Sequence, residues 1–82
     1  MNVFLYALST CFHCRRTKQW FDDHKIKYEF VDVDLAAADE KKRLVGEVRE
    51  LTGSSQFPVI KVGDQVVVGF NEERLKQLLG VE

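Results

Sequence analysis

Ser9-Thr10-Cys11-Phe12-His13-Cys14 holds both cysteines of this 82-residue chain, with two residues between them. A disulfide across so short a loop restricts the unfolded chain little and cannot staple a fold. The pair therefore reads as chemistry rather than scaffolding, and its compartment as a reducing one. Before it, Val3-Phe4-Leu5-Tyr6-Ala7-Leu8 is a continuous apolar run with β-branched and aromatic residues, as expected of a central strand covered on both faces. After it, Ser9 and Thr10 offer capping hydroxyls to a segment, Phe12 to His24, in which Thr17, Trp20, Phe21 and His24 recur at helical spacing. Cys11 is thus expected at the start of a helix.

Further along, Lys25 to Asp34 alternates apolar and polar side chains, placing Ile26, Tyr28 and Phe30 on one face of a second strand. From Ala36 to Thr52 the chain is rich in Ala, Glu, Lys and Arg. Leu44, Val45, Val48 and Leu51 form one stripe there, and Gly53 is the stop of this second helix. Gly53-Ser54-Ser55-Gln56 reads as a loop into Phe57-Pro58, with the only proline at the first position of a strand through Val62. Gly63-Asp64 turns the chain back into Gln65-Val66-Val67-Val68, an antiparallel hairpin. Asn71 then caps a third helix, Glu72 to Gly80, with acidic residues in its first turn, Leu75, Leu78 and Leu79 inward, and Phe70 against Leu75 as a hydrophobic staple. The order βαβαββα predicts an α/β domain spanning residues 1–82: a four-stranded mixed sheet, begun by a right-handed parallel crossover and covered by three helices.

Composition narrows the function. Twelve basic against thirteen acidic residues leave a formal charge of −1, so no basic field points to nucleic acid. No run approaches membrane-spanning length, and the apolar N-terminus lacks the basic leading region of a signal peptide, so neither membrane nor export is expected. A chain this short buries only about 60% of its unfolded surface. Nearly every apolar residue is then needed for packing, and function rests on a few surface groups.

A thiolate attacks disulfides, and a helix start favours a thiolate through its unpaired N–H groups and macrodipole. Cys11 is therefore the candidate nucleophile, and Cys14, one turn on, can attack a mixed disulfide formed at Cys11 and release the reduced partner. Other readings remain. A structural zinc site needs about four ligands, and only His13 and His24 are available beside the cysteines. Two inert buried cysteines are also compatible with the spacing.

Tyr6 to Cys14, the strand Tyr28 to Asp34, Gln56-Phe57-Pro58-Val59 and Val68-Gly69-Phe70-Asn71 together resemble the glutaredoxin family of the thioredoxin fold over essentially the whole chain. The resemblance implies a thiol-disulfide oxidoreductase reducing protein or mixed disulfides through a Cys-Phe-His-Cys dithiol. It implies a central first strand flanked by the second and third, a cis proline facing the cysteines, and a Phe57 backbone that pairs with an incoming peptide or glutathione. It assigns substrate or glutathione contacts to Thr10, Phe12, His13, Phe57, Pro58, Gly69, Phe70 and Asn71, with no metal site and no tightly bound cofactor. Glutathione-using members carry proline and tyrosine between the cysteines and a lysine where this chain has Leu8. Cys14-Arg15-Arg16-Thr17-Lys18, Gln56-Phe57-Pro58 and Gly69-Phe70 look closer to the small redoxins that serve ribonucleotide reductase, which carry a tryptophan where this chain has valines before Gly69. The implied partners are protein disulfides, with glutathione or thioredoxin reductase as electron donor, for a cytoplasmic monomer. Two other functions stay open: an iron-sulfur or metal carrier using Cys11, and a non-catalytic thioredoxin-fold binding module presenting Phe57 and Phe70.

Among the neighbours, His13 is either a tuner of Cys11 or a solvent-facing spacer. Arg15, Arg16 and Lys18 read as the wet face of the first helix, although Lys18, a turn from Cys14, can also lower a thiol pKa or meet an acidic partner. Trp20 and Phe21 are expected in the core. His24 reads as a favourable charge at a helix end, and Asp39 to Arg43 as a solvated face.

Overall fold

The computed structural model describes residues 2–81. Its elements are β1 (Val3–Ala7), α1 (Phe12–Asp23), β2 (Glu29–Asp32), a short 3-10 turn (Val33–Leu35), α2 (Ala38–Thr52), β3 (Val59–Val62), β4 (Gln65–Val68) and α3 (Glu72–Leu79). The sheet order is β2-β1-β3-β4, with β1 parallel to β2 and antiparallel to β3, and β3 antiparallel to β4. This is the expected βαβαββα domain with β1 inside the sheet. No helix among the described residues is long and apolar enough to cross a membrane.

The continuous apolar character of β1 has a direct cause, since both of its faces are covered. Val3, Leu5 and Ala7 join Trp20, Phe21, Ile60, Val62, Val67 and Leu75 in one cluster, while Tyr6 joins Val33, Leu44, Val48 and Val59 in the other. Hence α1 and α3 lie on one side of the sheet and α2 on the other. A strand buried on both sides has no polar positions to alternate with.

The end of α1 departs from expectation. Lys25, anticipated as the first residue of a strand, takes a left-handed φ of 56° instead. Its N–H donates to the Asp22 carbonyl and that of Ile26 to the Phe21 carbonyl, at 3.1 and 2.9 Å. These two bonds form a Schellman closure, which consumes residues that the alternating pattern had assigned to β2. β2 is consequently only four residues long, and Val33, Asp34 and Leu35 leave the sheet in the 3-10 turn. Phe30 shares the α1 face with Leu5, its register partner, yet stays 48% exposed because β2 is an edge strand.

Two further differences concern α2 and the hairpin. α2 starts at Ala38 rather than Ala36, and Leu51 is exposed while Leu44 and Val48 carry the buried stripe. The Gly63-Asp64 turn is as expected, with Gly63 at a φ of 59°. Asn71 caps α3 by accepting the Arg74 N–H at 3.1 Å; Leu75 is fully buried, with Phe70, Leu78 and Leu79 packed around the same cluster.

Leu44→Ala should cost about 2–5 kcal/mol through the cavity it leaves, whereas Leu51→Ala should change stability by less than about 0.5 kcal/mol. Urea unfolding of the two variants measures the contrast.

Candidate functional site

Strand register brings the candidate residues to one end of the sheet. β1 runs into the cysteine loop just beyond the Tyr6–Val59 pair, so the next step along the antiparallel ladder sets Ala7 beside Pro58. In the same way the Val59–Val68 pair leads to Gly69, whose N–H donates to the Pro58 carbonyl at 2.7 Å. Gly69 makes the turn from β4 to α3 with a φ of 79°, a region that favours glycine. The Phe57–Pro58 bond is cis and Pro58 is buried. Cys11, Phe57 and Phe70 all pack, partly exposed, against the cluster that contains Cys14.

The helix start differs in detail from the sequence reading. Neither Ser9 nor Thr10 caps α1; Cys11 is itself the N-cap, its sulfur accepting the Cys14 N–H at 3.3 Å. Ser9 is engaged elsewhere, its N–H and hydroxyl both donating to the Asp34 carboxylate at 2.8 and 2.5 Å. Thr10 is exposed. The Asp34 clamp fixes the loop two residues before Cys11, and the Cys11 N–H closes it by donating to the Leu8 carbonyl at 3.2 Å.

The two thiols occupy different environments. Both are free; Cys11 is partly exposed and Cys14 is completely buried. Burial pushes the Cys14 thiol up to about 12, helped by its hydrogen bond to Cys11. The backbone of Leu8 and the charge of Lys18 pull the other way.

Lys18 is not on the wet face. Its ammonium sits 3.0 Å from the Asp32 carboxylate and 4.1 Å from the Phe30 ring centroid, with the lysine and aspartate side chains 23% and 18% exposed. It thus has the acidic partner that sequence left open, and that partner is within the chain. Arg15 and Arg16 are exposed as expected. Phe12 is 69% exposed with the exposed His13 ring set edge-on to it, centroids 5.7 Å apart. Asn71 is brought to this end of the sheet, but its side-chain oxygen is already taken by the helix cap. His24 stacks on Trp20 at 4.3 Å, and its Nδ1 lies 2.8 Å from the Trp20 carbonyl. Among the described residues, no group of three or more His, Cys, Asp or Glu gathers in a way that could hold a metal ion.

Sequence reading missed the Ser9–Asp34 and Lys18–Asp32 contacts. Both join residues from separate elements, 25 and 14 positions apart, and only the β1–β2 register brings them together. Their sole sequence signal is the pair of acidic residues, Asp32 and Asp34, at the end of an apolar strand.

Two measurements test this geometry. The bonds from Ser9 hold the Asp34 carboxyl below its ordinary value, so its contribution to stability is complete above the usual carboxylate range and fades as pH falls through the lowered folded value. The stability difference between the parent chain and Asp34→Asn should therefore be constant near neutrality and shrink on acidification, as read by urea unfolding across pH. Brief iodoacetamide treatment of the reduced protein near neutral pH should label Cys11 and spare buried Cys14, as read by peptide mass spectrometry.

Comparison with known proteins agrees with this architecture. The family model described as glutaredoxin matches residues 3–67. The crystal structure of a glutaredoxin from Archaeoglobus fulgidus superposes with a TM-score of 0.90 at 37% identity, covering 95% of this chain and 85% of that one. An uncharacterised glutaredoxin-like 8.6 kDa protein of the rubredoxin operon of Clostridium pasteurianum is 36% identical over 75 residues, 92% of this chain and 93% of its own. The glutaredoxin-like protein NrdH of Lactococcus lactis is 29% identical over 76 residues, 93% of this chain and 97% of its own. With the fold, the strand order and the matched residues in agreement, the chain belongs to the glutaredoxin family, as a glutaredoxin-like redox protein.

Proposed function

We propose that the chain is a thiol-disulfide oxidoreductase of the dithiol kind, in which Cys11 attacks and Cys14 resolves. The observation that carries this is the asymmetry of the two sulfurs: Cys11 is the partly exposed cap of α1, and Cys14 is buried behind it. The Cys11 thiolate attacks one sulfur of a substrate disulfide, forming a mixed disulfide and expelling the other sulfur as a thiolate that takes up a proton. Cys14 then loses its proton, and its thiolate attacks the Cys11 sulfur, expelling the second substrate thiolate, which is protonated in turn. Two electrons and two protons pass to the substrate, leaving a Cys11–Cys14 disulfide for an external reductant to reopen.

The elevated Cys14 thiol suits this order. A resolving group that stays protonated until a partner occupies Cys11 does not compete for the first attack. In this reading the two sulfurs carry the electrons without a bound cofactor, and the substrates are protein disulfides or mixed disulfides in a reducing, cytoplasmic setting. A flavoprotein reductase of the thioredoxin reductase class is the donor we favour over glutathione. What supports it is the likeness to a relative named NrdH, together with Leu8, which packs its apolar side chain on the α2-side cluster and offers no cation to a glutathione carboxylate.

Cys11→Ser should abolish reduction of a test disulfide, while Cys14→Ser should accumulate a mixed disulfide visible as an added mass. Full activity without Cys11 would overturn the assignment. Supplying the oxidised protein with either glutathione plus glutathione reductase or NADPH plus thioredoxin reductase decides the donor.

A further inference from the structure

Beside the cysteine loop, α1 and the start of α3 form an open groove of about 650 Å3. Phe12, Trp20 and Phe70 give it apolar walls, and the exposed Arg15 and Arg16 stand along it. Two carboxylates also line it, but both are engaged from within the chain. Asp23 accepts from the Gln19 side-chain amide at 2.8 Å, and Glu72 accepts from the Trp20 indole at 3.2 Å while pairing with Lys76 at 3.5 Å.

The arginines are not so engaged. Among the described residues, neither has a carboxylate within ion-pair distance. Among the described residues the Arg15 side chain donates one hydrogen bond, to the Ser9 carbonyl at 3.4 Å, and the Arg16 guanidinium carbon lies 5.6 Å from the Phe70 ring centroid. A guanidinium resting on an aromatic face keeps its in-plane donors free, and these match a carboxylate in pairs. The groove thus offers two cations without an ion-pair partner among the described residues, set between apolar walls, while its two carboxylates, still charged, are held by donors of the chain itself.

Length narrows the occupant. The groove begins at Phe12, next to Cys11, and follows α1 to Asp23. At 1.5 Å per residue that is about 16 Å, the reach of about five extended residues. A tripeptide joined through a central cysteine has one residue on either side and cannot follow it.

We propose that this groove seats the extended segment flanking the reactive cysteine of a disulfide-bearing protein, with Arg15 and Arg16 selecting segments that carry Asp or Glu beside apolar residues. This deepens the reading of Cys11 as the attacking thiol, on which it rests, by naming the substrate class of that site.

The test uses two short synthetic peptides, each with one cysteine in mixed disulfide with 2-mercaptoethanol, alike except for two Glu in one and two Lys in the other. The kcat/KM ratio should favour the Glu peptide by on the order of tenfold at low ionic strength, the scale of two exposed ion pairs, and fall in high salt. In the double variant Arg15→Gln, Arg16→Gln the ratio should collapse toward unity, while Lys42→Gln on α2 leaves it in place. A readout free of redox chemistry is the fluorescence of Trp20, the only tryptophan, which lines the groove. Peptides with serine for cysteine should show the same preference in titration. Equal turnover and equal binding of the two peptides would overturn the proposal. So would glutathione disulfide reduction that depends on the arginines as strongly as the Glu peptide does, since that assigns them to a tripeptide's carboxylates. Absence of turnover with every disulfide would sink the dithiol reading instead, and the titration alone then decides the groove.

Discussion

The Cys14 N–H directed at the Cys11 sulfur ties the start of α1 to the chemistry of the site. Helix N-termini leave backbone donors without partners, and an oxygen from Ser, Thr, Asp or Asn usually accepts one of them. Here a sulfur does so, although two hydroxyl residues immediately precede it. A sulfur at that position meets the unpaired donors of the helix start, which suits the attacking role proposed for Cys11. The arrangement depends on Ser9 being held away. Were its hydroxyl free to cap, the helix could begin earlier and the sulfur would lose its place; the Asp34 carboxylate engages both Ser9 donors and fixes where α1 starts.

That clamp is in turn a product of the sheet. Parallel pairing of β1 with β2 delivers Asp32 level with Ala7, which brings Asp34 to Ser9 and lets Lys18 on α1 reach Asp32. Antiparallel pairing with β3, and of β3 with β4, carries Pro58 and Gly69 to the same end. Four strands thus converge on a short loop, while the faces of β1 remain wholly apolar. Polar contacts at the end of the sheet set geometry, and the interior supplies the stability on which they rely.

Elements governed by local rules were legible in the sequence. The apolar run of β1, the Gly63-Asp64 hairpin, the Asn71 cap and the Gly53 stop all appear where their chemistry predicts. The cysteine pair at a helix start was equally plain. What stayed hidden needed a partner distant in sequence or an unusual backbone. Lys25 closes α1 in a conformation that glycine ordinarily signals, so the alternating stretch predicts a strand that begins too early. Local sequence makes Ser9 a cap because nothing nearby reveals Asp34, and places Lys18 in solvent because nothing nearby reveals Asp32. Leu51 followed the helical period of α2 but lies beyond the part that the sheet covers.

The short second strand has a consequence for behaviour at high concentration. It forms one open edge of the sheet and carries an exposed aromatic, the combination that invites pairing with the edge of another molecule. Net charge offers little general repulsion, at a formal −1. Protection is local instead: Glu29 and Asp32 put acidic groups at both ends of the strand, the ammonium of Lys18 sits over the Phe30 ring, and four residues give a template too short for a stable foreign ladder. The same lysine that influences the interior thiol therefore also serves as a gatekeeper against aggregation.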